Sequence, residues 1–296
     1  MDESLRLDPQ AARLQWRRRA RLPAPHFLRG EVERGLLERL EPIRLEPRSV
    51  LIAGCGQSSL PLPLRQRFPG ALLVAVEDDG KALAVLRDRV APARGGWLSR
   101  LRGGRGPQPA LYAAGAPTRL PLAASSVDLA LSSLALHACA RPADWLAEWL
   151  RVLRPGGVLA FACLGVDTLG EIRALGARMP PLPDMHDLGD ALVRAGFAEP
   201  VVDTERLRVT WRSAATLIDE VRQWGGNAAQ GRFRGLLTPR HRDQWLASVD
   251  ALRGADGLIA LSVEVIYGHA WCPSQKPLPD GLAPVHWARR GAGPGP

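Results

Sequence analysis

Val50-Leu51-Ile52-Ala53-Gly54-Cys55-Gly56-Gln57-Ser58-Ser59 is an apolar run that breaks into Gly-x-Gly, and about twenty residues later comes Val74-Ala75-Val76-Glu77. The order is strand, glycine turn, helix, strand, acid. Glycines at the end of a strand let a ligand touch the backbone, and a carboxylate at the tip of the neighbouring strand can accept both hydroxyls of a ribose. The stretch therefore predicts a nucleotide crevice at one edge of a parallel sheet. By this reading Gly54, Cys55 and Gly56 form the backbone cradle, with Glu77 and Asp78 beside it.

Upstream, Phe27, Leu28, Val32, Leu36, Leu37 and Leu40 recur at helical spacing, which predicts a helix packed beside the first strand and ended before Pro47. Before it stands a basic cluster, Arg17-Arg18-Arg19. Downstream, Leu60 to Phe68 reads as a helix with Pro61 and Pro63 in its first turn, the place a helix tolerates proline. Leu72 to Val76 is a second strand and Gly80 to Val90 a helix. Residues 93 to 109 have the Gly/Arg composition of a flexible basic loop. Short strands follow at Leu111 to Ala113 and Val127 to Ser132. A helix from Pro142 to Leu153 ends in Arg154-Pro155-Gly156-Gly157, a turn that reverses the chain into the apolar strand Val158 to Leu164.

Five strands alternating with helices predict an α/β fold, a Rossmann-like doubly wound sheet with helices on both faces. Two alternating runs, Pro200 to Trp211 and Leu261 to Trp271, add an antiparallel pair at the sheet edge, for about seven strands in all. Ala214 to Leu252 is helical in pattern and too long for a hairpin turn, so it forms a helical cover over one end of the sheet. The expected organisation is an N-terminal helical segment over 1–48, one domain over 49–272 with its insertion at 213–253, and a loose Pro/Gly-rich tail over 273–296.

The 296 residues, 46% of them hydrophobic, are enough to bury a sizeable core. Cys55, Cys139, Cys163 and Cys272 are scattered without a Cys-x-x-Cys pair, which suggests a reducing compartment and no zinc. No apolar stretch reaches the roughly twenty residues of a membrane span, and the polar start is not a secretory signal. The expectation is a cytoplasmic monomer. The net charge of +9 comes almost wholly from arginine, whose planar fork suits carboxylates and phosphates. Nucleic acid is a poor partner, because Trp97 is the one aromatic in the basic loop.

Gly54-x-Gly56, the acid at the tip of strand two, Leu120-Pro121-Leu122 before Ser126-Val127-Asp128-Leu129, and Leu153-Arg154-Pro155-Gly156-Gly157 together resemble a class I S-adenosyl-L-methionine-dependent methyltransferase. Three further stretches resemble the malonyl-acyl-carrier-protein O-methyltransferase family of biotin synthesis. They are Gly165-Val166-Asp167-Thr168-Leu169-Gly170-Glu171-Ile172-Arg173, Asp184-Met185-His186-Asp187-Leu188-Gly189-Asp190, and Tyr267-Gly268-His269-Ala270-Trp271. The resemblance covers residues 27 to 272 and implies methyl transfer from S-adenosyl-L-methionine to the free carboxylate of malonyl-acyl carrier protein. It places Ser133 with the cofactor group and His137 near the transferred methyl. It makes the helical cover, with Arg222, Asn227, Arg232 and Arg234, the wall of the acyl pocket and the dock for the acidic carrier, and it sets His186 as a substrate residue or a helix cap.

The chain departs from that pattern at three places. Ala53 stands where family members carry an acid, Ser58 where they carry a third glycine, and Ala116 where an Asp holds the adenine amino group. Each lost charge-assisted hydrogen bond is worth on the order of 1.5 to 3 kcal/mol. Two other readings follow. Ser133-Leu134-Ala135-Leu136-His137 and Val202-Asp203-Thr204-Glu205 are also similar to the mitochondrial arginine hydroxylase that assists complex I assembly, and the three departures would also suit a non-catalytic binding protein.

Overall fold

The computed structural model describes residues 7–19, 26–54, 58–90, 110–177, 179–224, 227–232, 235 and 238–274. Cys55, Gly56, Arg234, the basic loop at 93–109 and the tail from 275 onward lie outside the described residues. Seven strands form one sheet: β1 (Ser49–Ala53), β2 (Leu72–Glu77), β3 (Ala110–Ala114), β4 (Val127–Ser133), β5 (Leu153–Leu164), β6 (Ala198–Trp211) and β7 (Ile259–Trp271). Their order is β3-β2-β1-β4-β5-β7-β6. The first five run parallel, β7 lies antiparallel to β5, and β6 is the outer strand antiparallel to β7. The antiparallel edge pair read from the sequence is this β6–β7 ribbon.

All five residues of β1 are buried, as expected of a central parallel strand covered on both faces. Its side chains divide between two cores. Val50 and Ile52 face one layer, with helices α2 (His26–Leu40), α3 (Pro61–Arg67) and α4 (Gly80–Val90). Leu51 and Ala53 face the other, with α5 (Pro142–Val152) and α7 (Met185–Arg194). Trp149 of α5 is wholly buried there and stacks obliquely on Trp145 at 5.6 Å.

Three sequence expectations change. The stripe of α2 runs through Leu28, Val32, Leu36 and Leu40, all buried, whereas Phe27 lies off that i, i+4 line and is 69% exposed. The segment Leu153 to Gly157 is no turn outside the sheet; it belongs to β5, with Leu153 opposite Val127 and a register shift following. Gly156 there takes φ +79°, and a side chain on Gly157 would strike the carbonyls of Arg154 and Asp128, so glycine lets the bulge continue the strand. The basic cluster Arg17-Arg18-Arg19 is the end of an additional helix, α1 (Pro9–Arg19), which starts at the Asp8 cap.

The cover consists of α8 (Ala214–Gln223) and α9 (Pro239–Asp250), capped by Ser213 and Thr238 and separated by the non-helical residues 227–232. A short helix α6 (Gly170–Ala174) follows β5. Among the described residues no helix is long and apolar enough to cross a membrane.

Tight packing across the β5–β7 pair generates a stability prediction. A Cβ on Gly268 would sit 2.4 Å from the ring of Phe161, its partner in register. Gly268→Ala should cost about 1–3 kcal/mol by overpacking, and Gly268→Ala with Phe161→Leu should cost less than the sum of the two single changes. Urea unfolding of the four proteins checks it.

Candidate cofactor crevice and acyl cavity

The carboxyl edge of the parallel strands forms the site. β1 ends at Gly54, whose φ of +65° turns the chain away from the sheet while its N–H still donates to the Val76 carbonyl at 3.0 Å. A side chain there would be strained. One register step on, Glu77 closes β2 with only 1% of its surface exposed, and its carboxylate accepts the Asp78 N–H at 2.9 Å. A carboxylate so buried needs hydrogen-bond donors. At the end of β4, the Ser133 hydroxyl is buried without a hydrogen-bond partner among the described residues. The Gly54 turn, a buried acid and a hydroxyl without a partner thus stand at one edge of the sheet, and they suit a ligand with a ribose and hydrogen-bonding groups.

Beside them opens a cleft of about 420 Å³ bounded by Asp78, Ala116, Thr118, Ala135, Cys139, Asp144 and Trp145, with Pro9, Ala12 and Arg13 of α1 along its rim. Ala116 faces this cleft and brings no carboxylate to it. Ser58 is buried, and its hydroxyl accepts the Leu60 N–H. Ala53 lies inside the core of the α5 layer. Burial pushes the Cys139 thiol up to about 12, so it carries no thiolate at neutral pH.

A second cavity of about 220 Å³ lies under the helical cover. Leu164, Leu169, Ile172, Met179, Leu217, Ile218 and Trp224 make it apolar, and it shares Ala12 and Ala138 with the cofactor cleft. The family stretch after β5 forms its floor. Glu171 accepts the Ser262 hydroxyl at 2.7 Å, and Thr168 exchanges hydrogen bonds with the Glu264 backbone, which pins Leu169 and Ile172 in place.

His137 stands where the two spaces meet, in the 3-10 turn Leu136–Ala138 that follows β4. Its Nδ1 accepts the Leu164 N–H and its Nε2 faces the Trp224 carbonyl, both at 3.4 Å. Burial, with the nearby positive charge of Arg29, pulls its pKa down to about 4. The ring is therefore neutral at physiological pH.

The other residues expected at the site divide. Arg222 and Asn227 line the second cavity, Arg222 at its exposed rim beside Asp219. Arg232 borders neither space. It pairs with Asp8 at 3.1 Å and bonds the Ala229 carbonyl, so it fastens the start of α1 to the 227–232 segment. His186 is exposed on α7, in the layer across the sheet from the cavity, and its backbone N–H donates to the Asp184 cap. Asp78 lies in the cleft, 3.6 Å from Arg13 of α1. The sequence reading missed α1, which carries no chemical motif and acts through packing; it singled out residues 165–173 as a family stretch but gave none of them a place in the site.

Residues 51–161 match the methyltransferase domain family model. The malonyl-[acyl-carrier protein] O-methyltransferase of Methylovorus sp. is 38% identical over 276 residues, covering 90% of each chain. The enzyme of the same name from Laribacter hongkongensis is 40% identical over 257 residues, 84% of each chain. The chain belongs to this methyltransferase family. It is an S-adenosylmethionine-dependent methyltransferase. Among solved structures, a methyltransferase from Bacillus halodurans superposes with a TM-score of 0.55 at 14% identity, covering 81% of this chain and 98% of that one. The Haemonchus contortus phosphoethanolamine N-methyltransferase 2 bound to S-adenosyl-L-methionine gives 0.50 at 16% identity, over 81% of this chain and 52% of that one. At these identities the two structures speak for the fold alone.

Two outcomes follow from the geometry. With Glu77 as the expected acceptor for the ribose hydroxyls, Glu77→Gln should weaken S-adenosylmethionine binding by roughly 10- to 100-fold, as read by calorimetry. For His137, an unfolded imidazole protonates near about 6.5, while the folded one stays neutral down to about 4. The unfolded chain therefore binds the extra proton between those values. The stabilising contribution is complete above about 6.5 and is lost as pH falls toward about 4, by roughly 3 kcal/mol at most. Urea unfolding of wild type and His137→Gln across that range should show the variant with the shallower acid slope.

Proposed function

We propose that the enzyme methylates the free carboxylate of a malonyl group carried on acyl carrier protein. The observation that carries this reading is an apolar cavity that shares Ala12 and Ala138 with the cofactor cleft and has no acidic residue among its described lining. The names of the relatives supply the acceptor; the cavity's chemistry suits it. An anionic carboxylate meets no like charge there. Being already deprotonated, it needs no general base, which agrees with a neutral His137 held by the Leu164 amide.

Gly54, Glu77 and Ser133 would hold the cofactor, which when bound supplies a methyl on a sulfonium centre to an attacking oxygen. The acceptor's negative charge and the sulfonium's positive charge cancel as ester and thioether form. Such a reaction gains from low dielectric, because the ions it consumes are worth less there than in water. Leu169, Ile172, Leu217 and Trp224 provide that environment, and α1 keeps solvent from the junction. His137 gives shape and a fixed dipole; it moves no proton.

Arg222 at the cavity rim, in a chain of net charge +9, supports docking of an acidic carrier. The deciding measurement is methyl transfer from labelled S-adenosylmethionine to malonyl-acyl carrier protein and to the unmalonylated carrier. Label should enter the first as a base-labile ester and leave the second blank. Equal labelling of both, or of neither with the cofactor bound, would remove the acceptor assignment.

A further inference from the structure

Among the described residues, Arg29 is the one arginine buried below a tenth of its surface, with 5% exposed. It belongs to the stripe of α2 that carries Leu28, Val32 and Leu36, a line of core positions where a charge costs free energy unless it is matched. Its match is incomplete. The guanidinium reaches Glu33 with Nη1 at 3.4 Å, a long contact, and its Nε has no hydrogen-bond partner. Glu33 is engaged elsewhere: its second oxygen takes both the Ser59 N–H, at 2.7 Å, and the Ser59 hydroxyl.

The surroundings locate this cation. Ser59 follows the glycine turn after β1. His137 follows β4, stands where cleft and cavity join, and feels the Arg29 charge. Arg29 therefore lies near the N-terminal end of α2, one helical turn from the Glu33 carboxylate that holds Ser59, and its charge reaches His137 in the cavity lining. Glu33 neutralises its charge without filling its donors. A buried guanidinium with a spare N–H is preorganised for a planar anion.

We propose that Arg29 is the carboxylate receptor of this site. Its unpartnered Nε–H takes a ligand carboxylate, either the α-carboxylate of the cofactor's methionine end or the carboxylate of the acceptor. The inference rests on the reading of the crevice as the S-adenosylmethionine site, and it adds the residue that recognises the negative end of a ligand there.

The test uses the full chain and two variants. Arg29→Met with Glu33→Gln removes both charges, so that no buried ion is left alone; Arg29→Lys keeps the charge but loses the fork. Calorimetry with S-adenosylmethionine and with its decarboxylated analogue reads the cofactor arm without any turnover. KM and kcat for malonyl-carrier read the acceptor arm. If the cofactor supplies the carboxylate, wild type should prefer S-adenosylmethionine over the analogue by roughly 10- to 100-fold, and the double variant should lose that preference. If the acceptor supplies it, cofactor binding should stay unchanged while KM for malonyl-carrier rises by a similar factor. In either case Arg29→Lys should recover part of the loss. A double variant that keeps both the cofactor preference and the KM, and differs only in melting temperature, overturns the proposal. Failure of wild type to methylate the carrier would instead count against the proposed function and leave the calorimetric arm intact.

Discussion

The site depends on a buried carboxylate held at the tip of a strand. Glu77 is kept from water and must find its donors in the chain around it. Parallel pairing supplies them: the Gly54 N–H bonds Val76, the β1–β2 register ends there, and the backbone beyond turns so that the Asp78 amide points at the Glu77 carboxylate. The glycine turn and the acid are thus one device. Moving either strand by one residue would direct Glu77 to the other face of the sheet.

From this edge the two ligand spaces follow. The cleft runs from Asp78 past Ala116 toward Trp145 with α1 along its rim; the cavity lies beneath α8 and α9 and is floored by Leu169 and Ile172. They differ in polarity for a chemical reason. A cofactor with a ribose and charged ends needs donors and acceptors, whereas an acyl arm needs apolar surface and a dry junction. Around Ala116 the cleft wall is made by Pro117, Ala135 and Trp145, with Asp78, Thr118 and Asp144 also in its lining.

Much of the fold was legible in the sequence. Continuous burial in β1, β2 and β4 writes unbroken apolar runs, glycines punctuate their ends, and β6 shows its edge position through an alternation that only a half-exposed strand has. The Leu153–Gly157 segment misled because Pro-Gly-Gly reads as a turn, while in the sheet the glycines let a bulged strand continue. For the site, Gly54, Glu77, His137, Arg222 and Asn227 were picked through motif or position, and the structure puts the first two at the ends of β1 and β2 and the other three in the cavity lining. Arg232 and His186 were picked for their chemistry, but one is tied to Asp8 and the other lies across the sheet. Sequence shows what a side chain can do, and tertiary pairing decides what remains available. Arg29 stood out by no motif: it is one arginine among many in the chain, and only its burial beside Leu28 and Val32 separates it from the solvated ones.

The N-terminal helix joins both ligand spaces in one closure. Ala12 touches cleft and cavity alike, Arg13 reaches Asp78 on the cofactor side, and Leu7 and Asp8 bond the 228–232 segment on the acyl side. The Arg232 guanidinium holds the Asp8 carboxyl below the usual carboxylate range, after the larger effect of the Ala11 amide at the helix cap. The pairing of α1 with the 227–232 segment therefore bears on the cleft and the cavity together. A helix that borders both spaces and is anchored through Leu7, Asp8 and Arg232 fixes the geometry of their shared wall at Ala12.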